Sequence, residues 1–379
     1  MWLRKAFIIF SKAEILPGSE KEWKSKGEKG TMAKGKRKAR NCSIDIFRYV
    51  CAILAVGIHT HPLADFSYEA GYIFGNIVPR IAVPFFLAAA GYFYIQKLER
   101  GEKPFFPYVK RLLIPYFIWS VVYNIVIMAR EHPDIPHFLA GCLYRFLVTG
   151  TYEHFWFFPA LLFAVCFTTL LFKIGRKGLL VPFSILLYII GCLGCSYYKL
   201  AVELPGLGSL FVSSRFVLIR RVLLMGVPFF VSGYLVYKIE KRVEKLTGKN
   251  GLYLVVGVVA AVWLAEIYMV RKFGWEDNII LTFGLYPLVV MVMLVLLRNP
   301  MPAYKDFSSK CAKLSEFTYY SHPLVMDALS FLWLRLMHKE IAATLLFLLT
   351  VVVTAAIGLL IYTLFYERRE FIWKRKKNA

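Results

Sequence analysis

Residues 44–63 read IDIFRYVCAILAVGIHTHPL. The run is about 20 residues long and mostly apolar, which is the length an α-helix needs to cross the hydrocarbon of a bilayer. It nevertheless holds Asp45, Arg48, His59 and His61. Ionisable groups are expensive inside a membrane, so a span that keeps four of them points to a working site.

Comparable runs follow at roughly 72–96, 112–130, 155–173, 179–196, 221–237, 251–270, 279–297, 315–336 and 341–365. Their number and length predict an all-α polytopic membrane protein with about ten transmembrane helices. Of the 379 residues, 58% are hydrophobic and 17% aromatic, well above the apolar share of a soluble domain. The net charge of +23 would suit a nucleic-acid partner, but the basic residues lie in short loops and tails. With no basic groove carrying interleaved aromatics, nucleic-acid binding is not expected and the bilayer itself is the first partner.

The charges orient the helices. Segments on the side of the N-terminus hold 35 Lys or Arg and those on the other side hold 10. By the positive-inside tendency this places both termini in the cytoplasm of a multi-pass protein of the cell membrane. Arg220 and Arg221, at the outer end of the sixth run, go against that count. Residues 1–43 are expected to be a basic cytoplasmic segment, 44–366 the transmembrane domain and 367–379 a basic cytoplasmic tail. The N-terminal stretch lacks a signal peptide's apolar core, and Met32, just before the cluster Lys34–Arg40, is an alternative start. The seven cysteines are an odd number scattered through apolar stretches. Cys192 and Cys195 have no His or acidic neighbours in sequence and are expected to be packed thiols, not a redox or metal site.

One internal likeness is visible. Arg80, Pro84-Phe85-Phe86 and Gly91-Tyr92 correspond to Arg221, Pro228-Phe229-Phe230 and Gly233-Tyr234. Both segments run outside to inside by the charge count, as in a parallel repeat.

In the first span Asp45 and Arg48 are three residues apart and can pair. Arg48 and His59 are eleven apart, three helical turns, and so share one stripe about 16 Å long. Between them on that stripe lie Ala52 and Ala55, leaving a small-residue groove with a cation at one end and an imidazole at the other. The plainer alternative has Arg48 snorkelling to the inner surface and His59 at the outer interface. Two helical steps turn about 200°, which predicts that His61 faces away from that stripe. Arg80, about two turns deep in the second span, must meet a carbonyl, a bound anion or an acid such as Asp65 or Glu69. His154 and Trp156 open the fourth span, where an aromatic belt is the simplest reading. His322, before Pro323 in the inner half of its span, can cap carbonyls that the proline frees. Glu266 and Asp327 are expected to be structurally paired.

Arg48, ten residues, then His59 resembles the Arg-x10-His signature in the first span of the acyltransferase-3 membrane family. Asp45-Ile46-Phe47 before it, Arg80 with Pro84 to Tyr92, His154 with Trp156 to Pro159, Arg221 to Gly233, and Tyr320-Ser321-His322-Pro323 extend the likeness over about residues 41–370. Within that family the run Ile58 to Leu63 is most similar to the membrane part of VanT-type serine racemases. No racemase domain and no SGNH-type hydrolase domain of the kind some relatives carry is expected beyond the spans, which leaves the acceptor open. The resemblance implies an O-acyltransferase that moves an acyl group, commonly acetyl from acetyl-CoA, to a hydroxyl on a carbohydrate or other cell-surface acceptor. It implies Arg48, supported by Asp45, as the donor-binding cation and His59 as general base or transient acyl carrier. Arg80 would stabilise the thioester oxyanion, with His154, Trp156, Arg221 and His322 as secondary candidates. No metal is called for, and the sequence sets no oligomeric state. The competing expectation is a transporter or flippase, for serine or another small polar metabolite, which intramembrane charges and broken helices serve equally well.

Overall fold

The computed structural model describes residues 40–364. Most of the basic N-terminal segment, with Met32, and the basic tail lie outside the described residues. Within them every regular element is helical.

Seven helices are long and apolar enough to cross a bilayer: α1 (Cys42–Thr60), α2 (Tyr68–Glu99), α3 (Phe105–Glu131), α5 (Glu153–Lys173), α7 (Phe216–Leu246), α8 (Asn250–Phe273) and α11 (Ala343–Tyr362). Two more, α9 (Leu285–Arg298) and α10 (Pro302–Met337), meet at an 88° bend and pass the same test only as a pair. The run expected at 179–196 is the shorter α6 (Lys177–Leu193). A further short apolar helix, α4 (Ile135–Thr149), falls where the sequence suggested only an outer loop. Each of the ten expected runs therefore lies on a helix, but seven of those helices have the length and apolarity of a single span.

Burial separates an inner group from an outer one. More than half of the apolar window of α1, α2, α5 and α7 is buried, against 17% for α8 and α11. The outer helices keep Leu, Val and Phe on their free faces, as lipid contact requires.

At the centre, the Ala82–Glu99 part of α2 packs along Val227–Leu246 of α7. Small residues permit the close approach. A Cβ on Gly91 would fall 1.8 Å from the carbonyl oxygen of Phe230, and one on Gly233 would fall 2.4 Å from that of Ala88. Each glycine thus meets the residue three before the other. Past the crossing, Tyr92 donates to Glu240 (2.6 Å) and Tyr234 to Glu99 (3.0 Å). The internal likeness is in this sense a packing symmetry of two parallel helices. Its Pro-Phe-Phe parts are not equivalent, because they stand two residues nearer the glycine in the second copy.

The other central contact is between α1 and α10. Asn41 caps α1 by accepting from the Ile44 amide, and its own amide donates to the Leu296 carbonyl at 2.9 Å. The Ser43 hydroxyl donates to the Asn299 carbonyl. These bonds fix the start of α1 on the bend between α9 and α10. Its far end is tied to α11, where Asp65 accepts from the Ala343 and Thr344 amides at 2.8 and 2.7 Å. These amides, Thr344's foremost, hold the Asp65 carboxyl below its ordinary range.

Candidate active site

The expected pair in α1 forms. An Arg48 Nη1 lies 3.6 Å from Asp45 Oδ1, and Arg40, just before the helix, donates to the other oxygen at 2.5 Å. Arg48 and Asp45 are both buried. Arg48 opens onto a cavity between α1, α2, α5 and α10 lined by Phe86, Ala90, Phe157, Glu316 and Tyr319 among others. A second, basic cavity of about 160 Å³ lies at the same end of the bundle, between Tyr94, Lys97, Lys103, Tyr108 and Arg111. Tyr108 is within electrostatic reach of Arg48, so the two cavities are neighbours.

The small-residue stripe is present but covered. Ala52 and Ala55 are buried, and the Ser315 hydroxyl on α10 donates to the Arg48 carbonyl at 3.0 Å. The same helix then reaches His59, because α10 runs parallel to α1 and carries His322. The cavity at Arg48 has a volume of about 40 Å³, little more than one water occupies.

At the far end of α1 three imidazoles converge from three helices. The ring of His322 lies 5.3 Å from that of His59 and 5.1 Å from that of His154, centroid to centroid. His322 is therefore level with the C-terminal end of α1, away from the inner half of the span where the sequence reading puts it. The displacement follows from α10 beginning at Pro302, well before the apolar run, so that residue 322 is already deep in the bundle. Pro323 has no N–H for the Tyr319 carbonyl. His322 Nδ1 supplies the missing donor, 3.0 Å from the carbonyls of both Tyr319 and Thr318. Since both partners can only accept, Nδ1 carries a proton, and Nε2 is the nitrogen left for another partner. That nitrogen is buried with no protein partner, on a side chain 0% exposed.

His154 is no belt residue. It is buried with Phe155, Phe157 and Phe158, and its carbonyl accepts from the Tyr319 hydroxyl at 2.8 Å. Trp156, two residues on in the same 3-10 turn, lies under the Arg221 guanidinium at 5.6 Å.

Arg80 finds a carbonyl. It donates through Nε to the Asn76 backbone oxygen at 2.9 Å and through Nη2 to the Asn76 side-chain oxygen at 3.0 Å. Neither proposed acid reaches it: Asp65 caps α11 and Glu69 pairs with Arg271 at 3.0 Å. Asn76 sits in a π-helical stretch, Ile73–Ile77, inside α2, a winding often found at functional sites. The other side of Asn76 is 3.5 Å from His61 Nδ1. His61 does not face away along a helix, because α1 ends at Thr60 and His61 takes a left-handed turn with φ of 48°. The helical-step argument stops one residue short of it.

Glu266 accepts from Tyr197 and from the Phe283 and Gly284 amides at the start of α9, and Asp327 pairs with Arg130 at 2.7 Å. Both acids are structurally engaged. All seven cysteines are free thiols, with Cys192 and Cys195 fully buried. Among the described residues no group of three or more His, Cys, Asp or Glu is arranged to hold a metal ion. Sequence reasoning missed Ser315, Glu316 and Tyr319 beside Arg48, and Asn76 beside Arg80. Their spacing carries no signal, since only the packing of α10 on α1 brings the first three to the site.

The model of a family described as an acyltransferase domain matches residues 41–363. The chain is 28% identical over 299 residues to an amino-acid racemase of Enterococcus faecalis, which covers 76% of this chain and 41% of the relative. It is 32% identical over 157 residues to another amino-acid racemase of that organism, covering 41% and 22%. To a serine/alanine racemase of Enterococcus gallinarum it is 29% identical over 175 residues, covering 44% and 24%. The chain thus spans less than half the length of these curated relatives. No solved structure matches it.

Proposed function

The chain belongs to the acyltransferase-3 family, and from that premise we propose that it is a membrane O-acyltransferase using acyl-CoA, with acetyl as the group transferred. The observation that carries this reading is that one helix, α1, presents Arg48 beside a basic cavity at one end and His59 among buried imidazoles at the other.

In this reading the 3′-phosphate and diphosphate of CoA are drawn to Lys97, Lys103 and Arg111 from the cytoplasm. Arg48 then neutralises the donor at the entry to the seam between α1 and α10. The pantetheine arm follows that seam toward His59. The narrow cavity beside Arg48 requires α10 to move off α1 as it does so. At the far end His59 takes the proton of the acceptor hydroxyl, the oxygen attacks the thioester carbonyl, and the C–S bond breaks as the CoA thiolate leaves and recovers a proton. Arg80, held by Asn76, stabilises the oxyanion formed between those steps. A carbohydrate or another hydroxyl-bearing molecule of the cell surface is the acceptor. Transfer of radiolabel from acetyl-CoA to an acceptor fraction by purified protein in proteoliposomes tests the proposal. Absence of any CoA-ester binding or turnover overturns it.

A second reading rests on the relatives, which are named amino-acid and serine/alanine racemases. It makes this chain a carrier for serine or a similar small polar molecule. Uptake of labelled L-serine by the same proteoliposomes, without acyl-CoA, would favour it.

A further inference from the structure

Arg220 and Arg221 stand at the His59 end of the bundle, the end where the distribution of basic residues disfavours cations. They open a seven-residue stretch, Arg220–Gly226, wound as a π-helix. Such stretches are rare and concentrate at functional sites. Neither guanidinium forms an ion pair among the described residues. Instead Arg220 meets the Cys195 thiol and lies 6.0 Å from the ring of Phe216, and Arg221 lies 5.6 Å from that of Trp156. The acid in electrostatic reach of Arg221 is Glu153, which is exposed, while Arg80 is in reach of Arg220. Three half-buried cations therefore gather at this mouth, and the carboxylate that faces Arg221 is solvated.

Partly desolvated guanidiniums without acids are costly unless a ligand supplies the charge. The site adjoins the imidazoles directly, since Trp156 shares a turn with His154 and His154 touches His322. An indole under one guanidinium, with a second on the neighbouring residue, suits a flat, hydroxylated molecule bearing phosphate or carboxylate.

We propose that Arg220, Arg221 and Trp156 bind an anionic group, phosphate or carboxylate, of the molecule whose hydroxyl is acylated, so that the acceptor is an anion and not a neutral sugar. The word acceptor rests on the acyl-transfer reading; the anion site does not. Full-length protein in phosphatidylcholine nanodiscs is titrated with glucose 1-phosphate, glucuronate and glucose, by calorimetry. The two anions are expected to bind at least about tenfold more tightly than glucose, the scale of one charge-assisted hydrogen bond. R220Q/R221Q should erase that preference and R221K keep most of it, with CoA binding unchanged in both as the check on folding. Equal binding of glucose and the anions, or a preference that survives the double change, overturns the proposal. So does dependence on Arg220 and Arg221 for phosphatidylglycerol retention alone, which would make this a lipid-headgroup site. Anion binding in a protein that transfers no acyl group would remove the acyl-transfer reading and leave the anion site standing.

Discussion

His322 Nδ1 is committed to the carbonyls of Thr318 and Tyr319, while its ring stands 5.3 Å from that of His59. One side chain thus repairs the break made by Pro323 and turns a bare Nε2 into the histidine cluster. The two roles can be separated. His322→Asn places an amide N–H where Nδ1 was and removes Nε2. It should hold the melting temperature within a few degrees while acyl transfer falls on the order of a hundredfold, the scale of a proton-transfer partner. A purely structural His322 would leave the Asn variant fully active. His322→Phe, which removes both nitrogens, should lose stability as well.

The α2–α7 crossing should be intolerant of any side chain. A Cβ on Gly91 or Gly233 meets backbone atoms of the other helix, which cannot swing aside. Gly91→Val or Gly233→Val is expected to cost about 1–3 kcal/mol or more by overpacking, read as a lower melting temperature in detergent. Gly257, with open space around it, is the control, and Gly257→Val should change little.

Asp65 offers a pH test outside the spans. Its carboxyl is held below the ordinary range by the Thr344 and Ala343 amides, so the ionised form is the one the fold prefers. The stability it gives is present above the unfolded carboxyl range and is lost as pH falls through the lowered folded value. Asp65→Asn should therefore melt earlier than wild type at pH 7, with the gap closing as both are acidified below pH about 4. A gap independent of pH would mean that the charge is irrelevant to the cap.

The apolar runs made the membrane class legible, and the three-residue and eleven-residue spacings in α1 made Asp45, Arg48 and His59 legible, because a helix converts spacing directly into a shared face. What lay off that helix was harder to read. The depth of His322 is not legible from the apolar run, because the polar stretch 305–314 continues the helix before that run begins. His154 passed for a belt residue since an aromatic cluster looks the same in sequence whether it faces lipid or a neighbouring helix. The Gly91 and Gly233 likeness was visible as a pattern, but only packing shows that the two copies meet each other. His61 is the cap of α1 and not part of it, so a helical step does not give its direction.

Arg48 should act on the donor. Its pairing with Asp45 holds it at the entry to the seam, beside the basic cavity at Lys97 and Arg111. Arg48→Lys keeps the charge and loses the planar fork. It is expected to weaken CoA-ester binding about tenfold, the loss of one charge-assisted hydrogen bond, with acceptor binding unchanged. Measured donor affinity that stays constant in Arg48→Ala would remove this role.

His59 and His61 should differ in kind. His59 is the last imidazole on the helical stripe from Arg48 and touches His322, whose free nitrogen faces the cluster. His61 is exposed and lies against Gly75 and Asn76, so it touches the segment that orients Arg80 without touching the histidines. Removing the general base should lower turnover on the order of a hundredfold or more, whereas removing a neighbour of a positioning residue should cost far less. His59→Ala is therefore expected to abolish acyl transfer while the protein still inserts and binds CoA. His61→Ala should retain most activity, with any deficit appearing together with that of Asn76→Ala, because both act through the seat of Arg80. Full activity in a folded His59→Ala variant would overturn the assignment of the base. Equal loss in His59→Ala and His61→Ala would instead place the chemistry in a wet site at the mouth shared by both rings.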